Sequence, residues 1–463
     1  MAMPIGRIAA AALLAAAIAP AHRAAAQQAQ TDTRAVLGEI EKLKRHYDAQ
    51  FDRLREDYER RLLEMEKRLK ASEDTASSAK AVASQAQETA KQAADQPPAA
   101  PPPASAGAFN PAIGVVLNGT FANARKEAAG SAIPGFAAGG EAGPVNRGFS
   151  LGETELNFSA NADQALYGAA TIAIGRDNDV AVEEAFIQST SLPYGFTAKG
   201  GRFFSDIGYL NRVHAHAWDF ADQALPYRIF LNGQYGDDGA QLKWLAPTGG
   251  LFLEFGGEGF RGASFPAAGA AHAGIGSYSA FAHAGGDLNA SHSVRAGVSQ
   301  LWTNAVSRST NGDSLLFDGR TNVTIFDAVY KWAPNGDPSR TNFKLQGEYF
   351  LVHNAGTYNT VPYTADPSGW YVQAVYQFAP RWAAGLRYDE LTPDAAPAAL
   401  AGSALDPRGQ FPRRYSAMLQ YETSEFGRFR LQYSRDNTVI GPGQNQYLLQ
   451  YTVSLGAHGA HPY

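Results

Sequence analysis

From Trp370 to Phe378 apolar and polar positions alternate. Trp370, Val372, Ala374, Tyr376 and Phe378 fall on one face, and Tyr371, Gln373, Val375 and Gln377 on the other. After Ala379-Pro380-Arg381, the residues Trp382, Ala384, Leu386 and Tyr388 resume the apolar face. Alternation at period two predicts extended strand, and two such runs joined by a short turn predict a hairpin. The apolar face has aromatic rings at its ends and small or aliphatic residues between them. A soluble sandwich has no use for that order, whereas a strand crossing a bilayer does, because aromatic rings settle at both interfaces.

Similar runs recur to the C-terminus. Ile113, Val115, Leu117 and Phe121 alternate with Asn118 and Thr120, and Thr154, Leu156, Phe158 and Ala160 with Glu153, Glu155, Asn157 and Ser159. Further runs are read near 165–175, 180–191, 196–204, 226–234, 239–246, 250–260 and 275–286. The C-terminal half adds 291–303, 321–333, 341–352, 370–378, 382–390, 414–423, 428–436 and 446–456. These are 17 runs, and bacterial barrels have even strand numbers, so 226–234 is set aside as a connection. The expected fold is all-β: a transmembrane antiparallel β-barrel of 16 strands over 108–463, with an N-terminal α-helical coiled coil. A barrel of that size leaves an aqueous interior unless loops fill it.

Residues 1–26 read as a signal peptide, with Arg7 as the n-region charge, an apolar stretch from Ile8 to Ile18, and Ala24-Ala25-Ala26 before the cleavage point. Residues 27–71 form a hendecad coiled coil, helical from 34. There Val36, Ile40, Leu43, Tyr47, Phe51, Leu54, Tyr58, Leu62, Met65 and Leu69 repeat every 11 residues. At about 3.67 residues per turn the coil is nearly straight and slightly right-handed. One apolar stripe on an isolated helix requires a partner, either sister helices of a homotrimer or the chain's own barrel. Residues 72–107 are an Ala/Pro-rich linker, stiffened by Pro97-Pro98-Ala99-Ala100-Pro101-Pro102-Pro103.

Composition agrees with strands whose alternate residues are polar. Mean hydropathy is −0.28 despite 25 Phe, 21 Tyr and 6 Trp, and past residue 20 no apolar run approaches the roughly 18 residues of a membrane helix. The absence of Cys excludes disulfides and thiolate metal sites. Residues 108–463 hold 24 Lys and Arg against 30 Asp and Glu, a net of −6. That balance disfavours a dedicated anion channel and gives no reason to expect a nucleic-acid partner.

No catalytic motif is present: there is no Gly-x-Ser-x-Gly elbow, phosphate-binding Gly-Lys-Ser/Thr loop or His-Glu-x-x-His helix, so an enzyme is not expected. With the aromatic face toward lipid, Arg295, Lys344, Arg387, Arg428 and Arg430 point inward, as do Glu153, Glu155, Glu254, Glu348, Asp389 and Glu422. Of these, Arg295, Lys344, Glu348, Arg387, Asp389, Glu422 and Arg430 are the candidate pore-lining residues. Mixed charge in a channel sets a transverse field with weak selectivity, or else only solvates the wall. The sharpest local signal is the stretch 211–222. His214 and His216 share a face in extended chain, and Asp219 and Asp222 could complete a nitrogen–oxygen site for zinc or a similar ion. His458 and His461 form a second pair at the chain end. Loop histidines more often only hydrogen-bond.

Several stretches carry a resemblance: Gly201-Arg202-Phe203-Phe204-Ser205, Gly208-Tyr209-Leu210-Asn211, 214–220, Gln234-Tyr235-Gly236-Asp237-Asp238-Gly239 and the ending 454–463. Over about 146–463 the chain resembles phosphate-selective porin O/P-like outer-membrane porins, and more narrowly a set of outer-membrane proteins labelled zinc-regulated. The resemblance implies a trimeric porin linked to metal supply. It does not extend to phosphate, because no lysine ladder is present, nor to TonB-dependent receptors, because the chain has no room for a plug domain and a 22-strand barrel. The function expected is passive diffusion of small hydrophilic solutes or ions through the outer membrane, with the coiled coil in the periplasm. The rival is a structural tether whose coiled coil engages the cell wall while the barrel lumen is closed.

Overall fold

The computed structural model of the 463-residue chain describes residues 111–124, 133–139, 147–175, 179–267, 274–310 and 315–456, with residues 41, 42 and 70 near the N-terminus. The signal peptide, almost all of the coiled coil, the linker and the His458/His461 pair lie outside the described residues. The chain divides into two units, Met1–Ser105 and Ala106–Tyr463.

The second unit is one closed antiparallel sheet. Its segments are β1 (Ala112–Ala124), β2 (Gly148–Leu151), β3 (Thr154–Asn161), β4 (Leu166–Ile174), β5 (Val180–Ser189), β6 (Phe196–Phe204), β7 (Gly236–Leu245), β8 (Phe252–Phe260) and β9 (Ser277–Asn289). Then come β10 (His292–Ser309), β11 (Leu316–Trp332), β12 (Asn342–Tyr358), β13 (Val361–Ala365), β14 (Ser368–Ala379), β15 (Trp382–Thr392), β16 (Arg413–Ser424), β17 (Gly427–Asp436) and β18 (Gln444–Gly456). β2 and β3 both lie along β1, and β13 and β14 both lie along β12, so each pair is one interrupted strand. The 18 segments therefore make 16 strands. β1 pairs with β18 from Gly114↔Gly456 to Ala124↔Gln446, which closes the ring and leaves no edge for lipid to desolvate.

Side chains alternate as a membrane wall requires. On β15, Leu386 is 67% exposed while its neighbour Arg387 is 4% exposed and Asp389 is fully buried. Outward aromatics meet in two bands. Toward one rim Trp382 packs on Tyr421 and Phe429 on Tyr451, with ring centroids 4.7 and 4.2 Å apart. Toward the other, Tyr388 packs on Tyr415 and Tyr433 on Tyr447, at 4.8 and 5.3 Å. Between them lie Ala384, Leu386, Leu419, Leu431 and Leu449. From Trp370 to Phe378 a rise of ~3.3 Å per residue gives about 26 Å along the strand, or about 20 Å of height at a tilt of ~40°, which fills most of an apolar band of ~25 Å.

Connections on one rim are short, such as 290–291, 380–381 and 425–426, and those on the other include 125–147, 205–235, 261–276 and 393–412. In a bacterial barrel the short turns face the periplasm. The run at 226–234 is not a strand. Leu225–Phe230 forms a short helix, α1, with Pro226 in its first turn and all six residues buried. From Leu225 to Leu231 only Arg228 is charged, so the stretch shows no polar period from which its conformation could be read.

Candidate functional site

The connection 205–235 turns from the end of β6 into the lumen. Asn211 ties its neck: Nδ2 donates to the Ser205 and Tyr235 carbonyls at 2.7 and 2.8 Å, and Oδ1 accepts from the Tyr235 amide at 2.7 Å. Gly208 sits at φ +64, and a Cβ there would lie 2.4 Å from Glu348 Oε2 and 2.6 Å from the Tyr227 hydroxyl, so only glycine fits. Apolar residues of the connection, among them Ile207, Leu225, Tyr227 and Phe230, pack with Phe350, Ile325, Tyr371 and Leu391 of the inner wall.

Wall carboxylates and guanidiniums hold the rest of the connection. Buried Glu348 of β12 accepts from the Tyr209 and Leu210 amides at 3.0 and 3.2 Å and from the Tyr227 and Tyr371 hydroxyls at 2.7 and 2.6 Å. Asp389 of β15 accepts from the Leu225 amide at 2.9 Å, at the start of α1 where a carboxylate suits the helix dipole. Asp222 receives Arg387 Nη2 at 2.7 Å, Arg414 Nη1 at 2.8 Å and Gln432 Nε2 at 2.8 Å. Burial alone would push the Asp222 carboxyl up. The guanidiniums of Arg414, Arg387 and Arg228 outweigh burial and hold it well below the usual carboxylate range. Asp219 receives Lys344 Nζ at 2.8 Å and Gln373 Nε2 at 2.6 Å. Arg430 Nη2 donates to the Trp218 carbonyl at 2.8 Å, and Arg428 donates to that of His216.

His214 and His216 stack 5.8 Å apart beside Glu155 of β3, and His214 also meets Glu183 and Glu184 of β5. His214 Nε2 donates to Glu184 Oε2 at 3.0 Å, and its Nδ1 faces Glu183 Oε2 at 3.4 Å and Glu155 Oε2 at 3.6 Å. His216 Nδ1 lies 2.5 Å from the other Glu155 oxygen. Burial disfavours a charge on His214, but Glu183, Glu184 and Glu155 outweigh it and raise the imidazole pKa well above 6.5.

All seven candidate pore-lining side chains lie on the inner face. Arg387, Asp389, Glu348, Lys344 and Arg430 bond the connection as described. Arg295 lies over the Tyr209 ring at 5.2 Å, and Glu422 accepts from Gln420 Nε2 at 3.0 Å. The four candidate metal ligands are not brought together. His214 and His216 share the Glu155 cluster, whereas Asp219 and Asp222 turn to Lys344 and to Arg387 with Arg414, because nearby cations there pair with carboxylates. The strand carboxylates Glu183 and Glu184, the buried acid Glu258 and the guanidinium of Arg414 were missed. Glu183-Glu184 carried a visible signal, since two successive acids interrupt the alternation of a strand.

No family model matches the chain. An uncharacterized protein of Aquifex aeolicus (strain VF5) is 29% identical over 391 residues, covering 78% of this chain and 81% of that one. Among solved structures, the loop L8 deletion mutant of OmpT, an outer membrane protein of Vibrio cholerae, has a TM-score of 0.48 at 12% identity, covering 75% of this chain and 99% of that one. OprB of Pseudomonas putida, in its high-pH structure, has a TM-score of 0.48 at 10% identity over 75% and 94%. The outer membrane channel DcaP of Acinetobacter baumannii has 0.46 at 10% over 75% and 97%. The fold itself rests on the strand pairing: the chain is a closed, 16-strand, membrane-type β-barrel with a connection folded into its lumen.

Proposed function

We propose that the chain is an outer-membrane porin, a passive channel for small hydrophilic solutes or ions whose lumen the 205–235 connection narrows. The observation that carries this reading is the inner wall. Along the strand ends nearest the short turns, Arg295, Lys331, Lys344, Arg428 and Glu422 face inward and stay partly exposed. Fully burying charges is costly, and a wall kept charged and partly wet is what a solute path needs. The connection is pinned to strands around the ring, so it forms a fixed constriction rather than a loose lid. Three copies would bury the hendecad stripes together, which supports a homotrimer in outer-membrane lipid.

A tether with a closed lumen has one observation in its favour, the apolar cluster of Ile207, Leu225, Tyr227 and Phe230 inside the barrel. Planar-bilayer recording separates the two. A porin gives discrete, reproducible conductance steps that persist when residues 27–107 are deleted. A silent membrane containing correctly assembled barrel would select the tether. A truncated chain that cannot assemble would show that the helical and barrel segments are not separate modules.

A further inference from the structure

We propose that His214 Nδ1, Glu155 and Glu183 form a binding site for a first-row divalent cation such as zinc on the lumen wall. One ligand atom from each lies within 4.8 Å of the others. One nitrogen and two carboxylate oxygens suit zinc and its neighbours better than magnesium or calcium, which take oxygen alone.

Three features of the surroundings are built as a metal site requires. First, the strand geometry is altered at the ligand. β5 pairs with β4 at Glu184↔Thr171 and then at Val182↔Ile172, leaving Glu183 as the extra residue of a β-bulge. In a regular strand Glu183 and Glu184 would point to opposite faces, and one would meet lipid. The bulge turns both toward His214, as bulges beside functional sites do. Second, the imidazole is oriented. Its Nε2–H is held by Glu184 Oε2 at 3.0 Å, which fixes the ring and leaves Nδ1 aimed between the other two carboxylates. A carboxylate on the far nitrogen is the usual support of a metal-bound histidine. Third, the free positions converge. His214 Nδ1 and a Glu183 carboxylate oxygen are buried and make no well-aligned hydrogen bond among the described residues; they face each other at 3.4 Å, where a bound cation would take the place of the imidazole proton. Glu155 is fully buried, and its second oxygen is fixed by His216. Glu153 lies beside Glu155 and Glu183 and lines the same part of the wall.

The site lies in the same lumen as the proposed solute path, but its occupancy is read without any conduction. Full-length protein in detergent, stripped with EDTA, is titrated with zinc chloride by isothermal calorimetry near neutral pH. One zinc per chain is expected. Glu183→Gln and His214→Gln should each weaken binding tenfold or more, and Glu184→Gln should weaken it ~10–100-fold as the support of a metal ligand. The His458→Ala/His461→Ala variant should bind as the parent does. No saturable binding, or equal affinity in parent, Glu183→Gln and His214→Gln, would overturn the site, as would loss of binding in the tail variant alone. Should the wall variants fail to assemble, X-ray absorption on the parent decides. A nitrogen and oxygen shell at about 2.0–2.2 Å with one imidazole supports the assignment, and two imidazoles overturn it. A conducting barrel that binds no zinc would end this inference and leave the porin reading intact.

Discussion

A carboxylate in the middle of a barrel persists because its partners replace the water it has lost. Asp222 shows the arrangement most fully, with Arg387, Arg414 and Gln432 all within 2.8 Å of its oxygens. The sign of its pH dependence follows. Its pKa is depressed where the connection is docked and near the ordinary ~3.9 where it is released. Docking is therefore stabilised in full at pH values above about 4, and the contribution falls as pH drops below that, toward the docked pKa. Single-channel current should be quiet from pH 7 to about 4 and turn noisy below it as the connection loosens. Asp222→Asn should be noisy at neutral pH, since Arg387 and Arg414 then keep Asp389 but lose the carboxylate that ties them to the connection. Current that stays equally quiet in both proteins down to pH 3 would remove Asp222 from the anchoring role.

At the scale of elements, the connection 205–235 behaves as a unit closed at its neck. Asn211→Ala would take the side-chain partner from the Ser205 carbonyl and the Tyr235 amide, while the Tyr235 carbonyl keeps the Ser205 amide at 3.0 Å. At ~1–3 kcal/mol for each buried polar group stranded, the neck should open while the surrounding strands keep their pairing. The expected outcome is an assembled, heat-modifiable barrel with larger and less uniform conductance, and new protease cuts between 205 and 235. Unchanged conductance with intact protease resistance would count against the neck. How far such features could be read from sequence depends on period. The Trp370–Tyr388 hairpin was legible because its outward face is apolar and its inward face polar, and the observed register pairs Tyr371 with Asp389 and Val372 with Tyr388. The segments Gly148–Leu151 and Val361–Ala365 were not, being short extensions that carry Gly or Pro and too few residues to show alternation. The inward fold of 205–235 was foreshadowed by Tyr209, Trp218 and Phe220, apolar anchors in a connection too long to be idle. Its partners were not, because Glu348 lies 138 residues from Leu210 and Arg414 lies 192 from Asp222, and nothing local links them.

On the scale of the whole barrel, closure decides which charges face one another. Around the ring β3 and β11 stand eight places apart, so the wall of β3 to β5 lies opposite that of β10 to β12. Among the partly exposed inner side chains the first wall carries Glu153, Glu183 and Glu184 and the second Arg295, Lys331 and Lys344, while Glu155, Asp327 and Glu348 are buried. Opposed signs across a lumen produce a transverse field, which orients dipolar solutes and largely cancels in its effect on net ion preference. The residual comes from the barrel's excess of acids, 30 against 24. The expected reversal potential in a KCl gradient is therefore small and on the cation-preferring side, larger at 0.01 M salt than at 1 M because the Debye length shrinks from ~30 to ~3 Å. Lys331→Gln should move it further toward cations and Glu184→Gln toward anions, each by removing one charge from one wall. Strong anion preference in the parent, or variants that both shift the same way, would mean that the two walls do not act as opposing halves of one path.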